Sequence, residues 1–218
     1  MHPEWLSNAY LVADEPGGTA IFVDTGAPLE PLFDAVEREN VSVTHLLTTH
    51  ADSDHIAGDA EVIERYGVPV VKGALETSGL RIEALPTPGH KDDHLAFVVN
   101  GEACFSGDLL FKDAVGGGDL AQIRHSVMDV LMKLPPETRV YPGHTDETTI
   151  GREWEENPFV RVWRGVEPEL GEPVRVGGEE ATLVVWSPDY DGKGKAWVRF
   201  EDGRDAIVGG SRVERKET

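Results

Sequence analysis

The sequence predicts an α/β (α+β) fold that ends in a small all-β region. Three observations carry this expectation. Short β-rich runs alternate with amphipathic helical patterns through about residue 165. A stretch rich in Glu, Pro and Gly, residues 165–173, then reads as a linker. Beyond it, strands follow one another with no helix between them. The expected division is therefore residues 1–165 as the main domain and 166–218 as linker plus a small β domain, either an SH3-like barrel or a β-extension of the main unit.

The elements follow in order. Residues 8–13 and 19–24 are β-rich, and Glu15-Pro16-Gly17-Gly18 between them has hairpin chemistry. Leu29, Leu32, Phe33 and Val36 recur at helical spacing, which predicts a helix over about residues 29–40. Residues 43–48 read as a strand and 56–66 as a helix stopped by Gly67. Strands are expected at 68–72, 80–85, 94–100 and 102–106. Leu120, Ile123, Val127, Leu131 and Leu134 mark a helix over 119–134 closed by Pro135-Pro136, and a strand follows at 138–141. A last helix over about 147–157 ends at Pro158. In the tail, strands are expected at 181–186, 196–200 and 205–208, with turns at Asp191-Gly192 and Asp202-Gly203.

Composition narrows the partners. The formal net charge is −20. A surface this acidic repels nucleic acid and anionic membranes, so a small-molecule substrate is the expected partner. No run approaches the roughly 18 apolar residues of a membrane span. The N-terminus lacks a basic head and apolar core, so a cytoplasmic location is the default expectation. The single cysteine, Cys104, leaves no internal disulfide and lies in an apolar run, where it reads as a buried small hydrophobe.

All eight histidines lie at or before His144. The informative segment is Thr49-His50-Ala51-Asp52-Ser53-Asp54-His55, on a loop between a predicted strand and helix. Such a loop can turn several side chains toward one point. Pro88-Gly89-His90, Ser106-Gly107-Asp108 and Pro142-Gly143-His144 each present one further His or Asp just past a strand or loop. Any one of these residues alone is more simply a turn former or a hydrogen-bonding side chain. Together they form an imidazole and carboxylate set suited to zinc, iron or manganese.

In this order the residues resemble the metallo-β-lactamase superfamily, whose signature is His-x-His-x-Asp-His followed by a distant His, Asp and His. Thr87-Pro88-Gly89-His90 with His94, Phe105-Ser106-Gly107-Asp108, Tyr141-Pro142-Gly143-His144, Glu147-Thr148-Thr149-Ile150-Gly151 and Asn157-Pro158-Phe159 are similar to the glyoxalase II (hydroxyacylglutathione hydrolase-like) branch. The resemblance spans about residues 5–160 and implies an αβ/βα sandwich with the site along one edge of paired sheets. It implies two divalent metal ions. His50, Asp52 and His90 would hold the first, Asp54, His55 and His144 the second, with Asp108 as the bridge. A hydroxide held between the metals would attack a thioester or related ester, and Asp54 would be the catalytic residue that orients it and takes its proton. His94 is read as a structural residue behind the ligands.

One position departs from the signature. Asp52 stands where the family has its second histidine, and a carboxylate favours iron or manganese relative to zinc. A carboxylate here also resembles flavodiiron proteins, but no Gly-rich phosphate loop or second α/β unit accompanies it. Two readings stay open at this point: a binuclear hydrolase with a mixed ligand set, and a mononuclear iron enzyme acting as a persulfide dioxygenase through His50, His90 and Asp108. A metal-binding protein without catalysis, with a C-terminal binding module, is the third alternative. Trp186, Tyr190 and Trp197 could line a groove in the tail, although alternation favours Trp186 and Trp197 as core. Lys112, Arg124 and His125 read as exposed charge.

Overall fold

The computed structural model describes residues 1–215. The first sheet is built from β1 (Ala9–Ala13), β2 (Thr19–Thr25), β3 (Ser42–Leu47) and β4 (Val70–Val71), in that order across the sheet. β1 and β2 are an antiparallel hairpin, and β2, β3 and β4 run parallel. The parallel steps need crossovers, supplied by α1 (Glu30–Glu39) and by α2 (Ser53–Ile56) with α3 (Asp59–Tyr66). The predicted single helix over 56–66 is thus two pieces. The chain breaks at Gly58, where a Cβ would come within 2.5 Å of Leu29 and 2.8 Å of the Thr25 carbonyl.

The second sheet contains β5 (Leu75–Glu76), β6 (Arg81–Pro86), β7 (Leu95–Val99) and β8 (Ala103–Gly107). A small hairpin, β9 (Leu110–Phe111) and β10 (Ala114–Val115), leads to α4 (Leu120–His125). The helix expected over 119–134 begins as α4, capped by the Asp119 carboxylate accepting from the Gln122 N–H. It then widens to a π turn over Ser126–Val130 and tightens to a 3-10 turn over Leu131–Lys133. β11 (Arg139–Pro142) and β12 (Thr148–Thr149) complete the sheet, whose order is β12-β11-β8-β7-β6-β5. α5 (Ile150–Glu156) ends before Pro158 as expected. The same Asn157-Pro158 pair then starts α6 (Pro158–Trp163), with Asn157 accepting from the Phe159 N–H at 3.0 Å and proline at the first helical position.

Side-chain alternation assembles these parts into a helix–sheet–sheet–helix sandwich. On β2, Ala20 and Phe22 face α1 and α3, whereas Ile21 and Val23 face the second sheet. On β7, Phe97 and Val99 point to the shared inter-sheet core with Phe105, and Ala96 and Val98 point outward. The outer face of the second sheet is covered by Ile123, Val127 and Leu131, and by Phe159 and Val160 of α6.

The tail is a curled five-stranded antiparallel sheet: β13 (Glu172–Val176), β14 (Glu179–Ser187), β15 (Lys195–Phe200), β16 (Asp205–Gly209) and β17 (Val213–Arg215), in the order β16-β15-β14-β13-β17. Val174, Leu183, Ala196 and Val198 make its own core. Its other face joins the main one: Val184, Val185, Trp197 and Ile207 lie in the same buried cluster as Ile123 and Phe159. Trp186 is half-buried against the tail's core and Trp197 is buried in the main cluster, so both pack, and Trp197 also borders an outer cleft. Among the described residues, no helix is long and apolar enough to cross a membrane.

Candidate metal centre

The seven expected ligands lie on the segments that follow β3, β6, β8 and β11 along one edge of the sandwich, with Asp54 and His55 in the short helix α2. The fold brings them together in three overlapping groups: His50 with Asp52 and His90, His50 with His55 and Asp108, and Asp54 with His55 and His144. Within each group the donor atoms lie within 4.8 Å of one another. Asp108 sits centrally. Its Oδ1 is 3.3 Å from His55 Nε2, and its Oδ2 is 3.4 Å from His144 Nε2 and 3.8 Å from His90 Nε2. Asp54 Oδ2 lies 3.4 Å from His144 Nε2.

Glycine lets the loops approach this closely. A Cβ on Gly143 would meet Asp108 Oδ1 at 2.3 Å. Gly107 has φ of +48°, and a Cβ there would meet His94 Nε2 at 2.6 Å. The Gly-His and Gly-Asp pairs of the sequence are therefore steric requirements of the site.

Each imidazole is aimed by a partner on its outer nitrogen. His55 Nδ1 is 2.8 Å from Asp24 Oδ2, His90 Nδ1 2.8 Å from the Gly117 carbonyl and His144 Nδ1 2.9 Å from the Leu6 carbonyl. His50 Nδ1 lies 3.1 Å from Thr49 Oγ1, whose hydroxyl donates to Asp24 at 2.8 Å. An Nδ1–H held by an acceptor leaves Nε2 as a lone-pair donor facing the centre. His50 Nε2, His55 Nε2 and Asp108 Oδ1 are buried and lack a hydrogen bond. Leaving such atoms bare costs about 1–3 kcal/mol each. Bound divalent cations would satisfy all three, so the residues present fit the metal ions that the resemblance implies.

The electrostatics follow from this crowding. Burial pushes the Asp108 carboxyl up, but the His144 and His55 imidazoles outweigh it and hold the group well below the usual carboxylate range. Burial also lowers His55, yet the neighbouring Asp108 and Asp24 raise it to about 11. His50, which is buried beside His55, is lowered to about 2.

His94 is brought to the site without joining a ligand group. Its Nε2 accepts the Asp108 backbone N–H at 3.1 Å and its Nδ1 pairs with Thr87 Oγ1 at 2.8 Å. Burial lowers its pKa to about 4, so it stays neutral and can accept. It therefore fixes the backbone of Asp108. Asp24 was not anticipated from the sequence. It closes β2 in the left-handed region (φ +53°) and also accepts the Thr49 N–H at 2.8 Å. The available signal was an aspartate at a strand end within Val23-Asp24-Thr25-Gly26.

Asp52 divides its two oxygens. Oδ2 faces the centre, 3.3 Å from His90 Nε2 and 3.7 Å from His50 Nε2, while Oδ1 is held by Lys91 Nζ at 2.9 Å. Burial opposes ionisation of Asp52, but Lys91 dominates and lowers its pKa. Lys112 and His125 instead pair outward, with Asp146 and Asp129. Arg124 lines an outer cleft with Trp163 and Trp197. Among the described residues the tail adds none to the candidate ligand groups, but Tyr190, between β14 and β15, stacks on His144 with ring centroids 4.2 Å apart.

A family model described as the metallo-beta-lactamase superfamily matches residues 2–78. The chain belongs to that superfamily. It is 34% identical to a hydroxyacylglutathione hydrolase of Rhodopseudomonas palustris (strain BisA53), over 73% of this chain and 67% of that one. Among solved structures, ETHE1 from Myxococcus xanthus is 29% identical with a TM-score of 0.63, covering 71% of this chain and 80% of its own. TTHA1623 in a di-iron-bound form is 30% identical with a TM-score of 0.61, covering 73% of this chain and 97% of its own.

Proposed function

We propose that the protein is a binuclear metallo-hydrolase that cleaves a thioester of the hydroxyacylglutathione type. The convergence of four imidazole Nε2 atoms and three carboxylates in overlapping groups, with His50, His55, Asp108 and His144 buried, carries this reading. The similarity to a hydroxyacylglutathione hydrolase supports the substrate class. In this reading residues 1–165 form the catalytic domain, and 166–218 the linker and small β domain.

His50, Asp52 and His90 would hold one divalent ion, Asp54, His55 and His144 the other, and Asp108 both. Iron suits the mixed imidazole and carboxylate set and the di-iron form of TTHA1623, with zinc and manganese as the other candidates. When bound, the two ions would supply a nucleophilic hydroxide near neutral pH and an electrophile for the carbonyl oxygen. Asp54, at the edge of the cluster, accepts the proton of the attacking water. The overall change forms a carbonyl C–O bond and breaks the C–S bond, and the thiol departs with a proton. Asp24 and His94 keep His55 and Asp108 in place throughout.

Asp52 favours a second reading. Its ion pair with Lys91 draws one oxygen away from the first position, which suits a single iron on His50, His90 and Asp108 and oxygen-dependent oxidation of a persulfide. Metal analysis of the purified protein, beside rates on a 2-hydroxyacylglutathione and oxygen uptake on glutathione persulfide, separates the two. Two metals per chain with thioester cleavage are expected. One iron per chain with oxygen uptake and no thioester cleavage would replace the hydrolase reading.

A further inference from the structure

We propose that Tyr190 is a substrate-contacting wall of the metal centre, so that the C-terminal sheet completes the active site. The thioester identity of the substrate rests on the function proposed above; the wall itself rests on geometry. The Tyr190 ring lies nearly parallel to His144, 13° between planes, and Phe111 meets both rings edge-on at 5.9 and 5.8 Å. Phe111 is buried, whereas Tyr190 beside the same ligand is only partly so.

The loop that carries Tyr190 is fixed from beneath. Asp189 accepts the Tyr190 backbone N–H at 2.9 Å and forms a buried ion pair with Lys195 at 3.2 Å. The Lys195 ammonium lies 5.1 Å from the Phe111 ring centre and 5.3 Å from that of Tyr190. A buried ion pair adds little net stability, because desolvation offsets most of its attraction. It does hold one backbone geometry, and here that geometry presses a tail residue against a candidate ligand of the main block.

The two ends of the centre therefore differ in chemistry. Lys91 stands beside Asp52 at the first metal position, and an aromatic ring stands at the second. A carbonyl placed over Asp108 would direct the anionic thiol portion of a thioester toward Lys91. The uncharged acyl group would lie against Tyr190.

The test compares the parent with Tyr190→Ala and Tyr190→Phe, each first checked for metal content. Hydrolysis is then measured on glutathione thioesters with acyl groups growing from acetyl to benzoyl, and metal removal by dipicolinate is timed. Tyr190→Ala is expected to keep its metals and to shift the kcat/KM preference toward bulky acyl groups by about 10-fold, the usual scale for reshaping an apolar contact. It should also release metal to the chelator faster. Tyr190→Phe, which keeps the ring, should match the parent in both. Unchanged preference and unchanged release in Tyr190→Ala would overturn the proposal. So would loss of metal at equilibrium, which would make the ring only a prop for His144. If the parent cleaves none of the thioesters, the proposed substrate fails, and unchanged release in Tyr190→Ala would then overturn the role of Tyr190 as well.

Discussion

Lys91 Nζ sits 2.9 Å from Asp52 Oδ1, while the other oxygen of the same carboxylate faces His50 and His90. The lysine would thus compete with a cation for Asp52, and it adds positive charge beside the first proposed metal position. Both side chains are substantially solvent-exposed, which limits the effect. Lys91→Gln is expected to tighten the weaker-bound ion by a few-fold, read by titration against a chromophoric chelator. Weaker binding in this variant would show that Lys91 instead supports the ligand.

Asp108→Ala and Asp52→Ala should differ in severity. Asp108 is buried and reaches His55, His90 and His144, whereas Asp52 reaches only the first group. Loss of Asp108 is expected to abolish activity and strip both ions; loss of Asp52 should spare the position formed by Asp54, His55 and His144. Metal content by mass spectrometry decides it, and an Asp108→Ala protein with the parent's metal content and rate refutes the bridge.

Asp24 contacts no proposed metal position directly, yet it aims His55 and, through Thr49, His50. Replacing a carboxylate that orients a ligating histidine typically costs about 10–100-fold in metal affinity. Asp24→Asn should show a loss of that size by competition titration. An affinity equal to the parent's would mean that packing alone fixes the His55 ring.

The metal-free protein should lose stability in acid through its buried imidazoles. The unfolded chain protonates His50 and His94 near pH 6.5, but burial lowers them in the folded chain to about 2 and about 4. Between those limits the unfolded state binds more protons, so acid favours unfolding, by up to roughly 1.4 kcal/mol per pH unit for each group. The raised His55 contributes fully below pH 6.5 and loses its contribution only as pH rises toward about 11. Urea midpoints measured with chelator present should be lower at pH 5 than at pH 7. A midpoint that holds or rises at pH 5 would contradict the buried, neutral state of these rings.

Truncation before β13 should not yield a soluble enzyme. Trp197, Ile207, Val184 and Val185 share a buried cluster with Ile123 and Phe159, so removal of residues 172–218 bares an apolar face of the main block. Aggregation or partial unfolding is expected by light scattering and circular dichroism. A monomeric, folded 1–171 fragment would show that the main block closes without its tail.

The sequence by itself determined the layered α/β unit and the β tail, and it singled out the seven side chains that the fold gathers at one edge. The layering rests on alternation, as on β2 and β7, and three of the seven side chains follow a glycine whose Cβ would collide; their reading as one ligand set rests on the resemblance to the superfamily. It also determined that Asn157-Pro158 stops a helix, but not that the same pair begins another. What only the tertiary structure decided lies between distant segments. Asp24 meets His55 because β2 ends beside the ligand loop, and Leu6 and Gly117 supply carbonyls that no side-chain motif announces. Lys91 finds Asp52 across two loops, and Tyr190 reaches His144 only because the tail shares a core with the main block. Periodicity and turn chemistry specify which residues face inward. They carry no information about which element will lie opposite, since that depends on how whole faces pack.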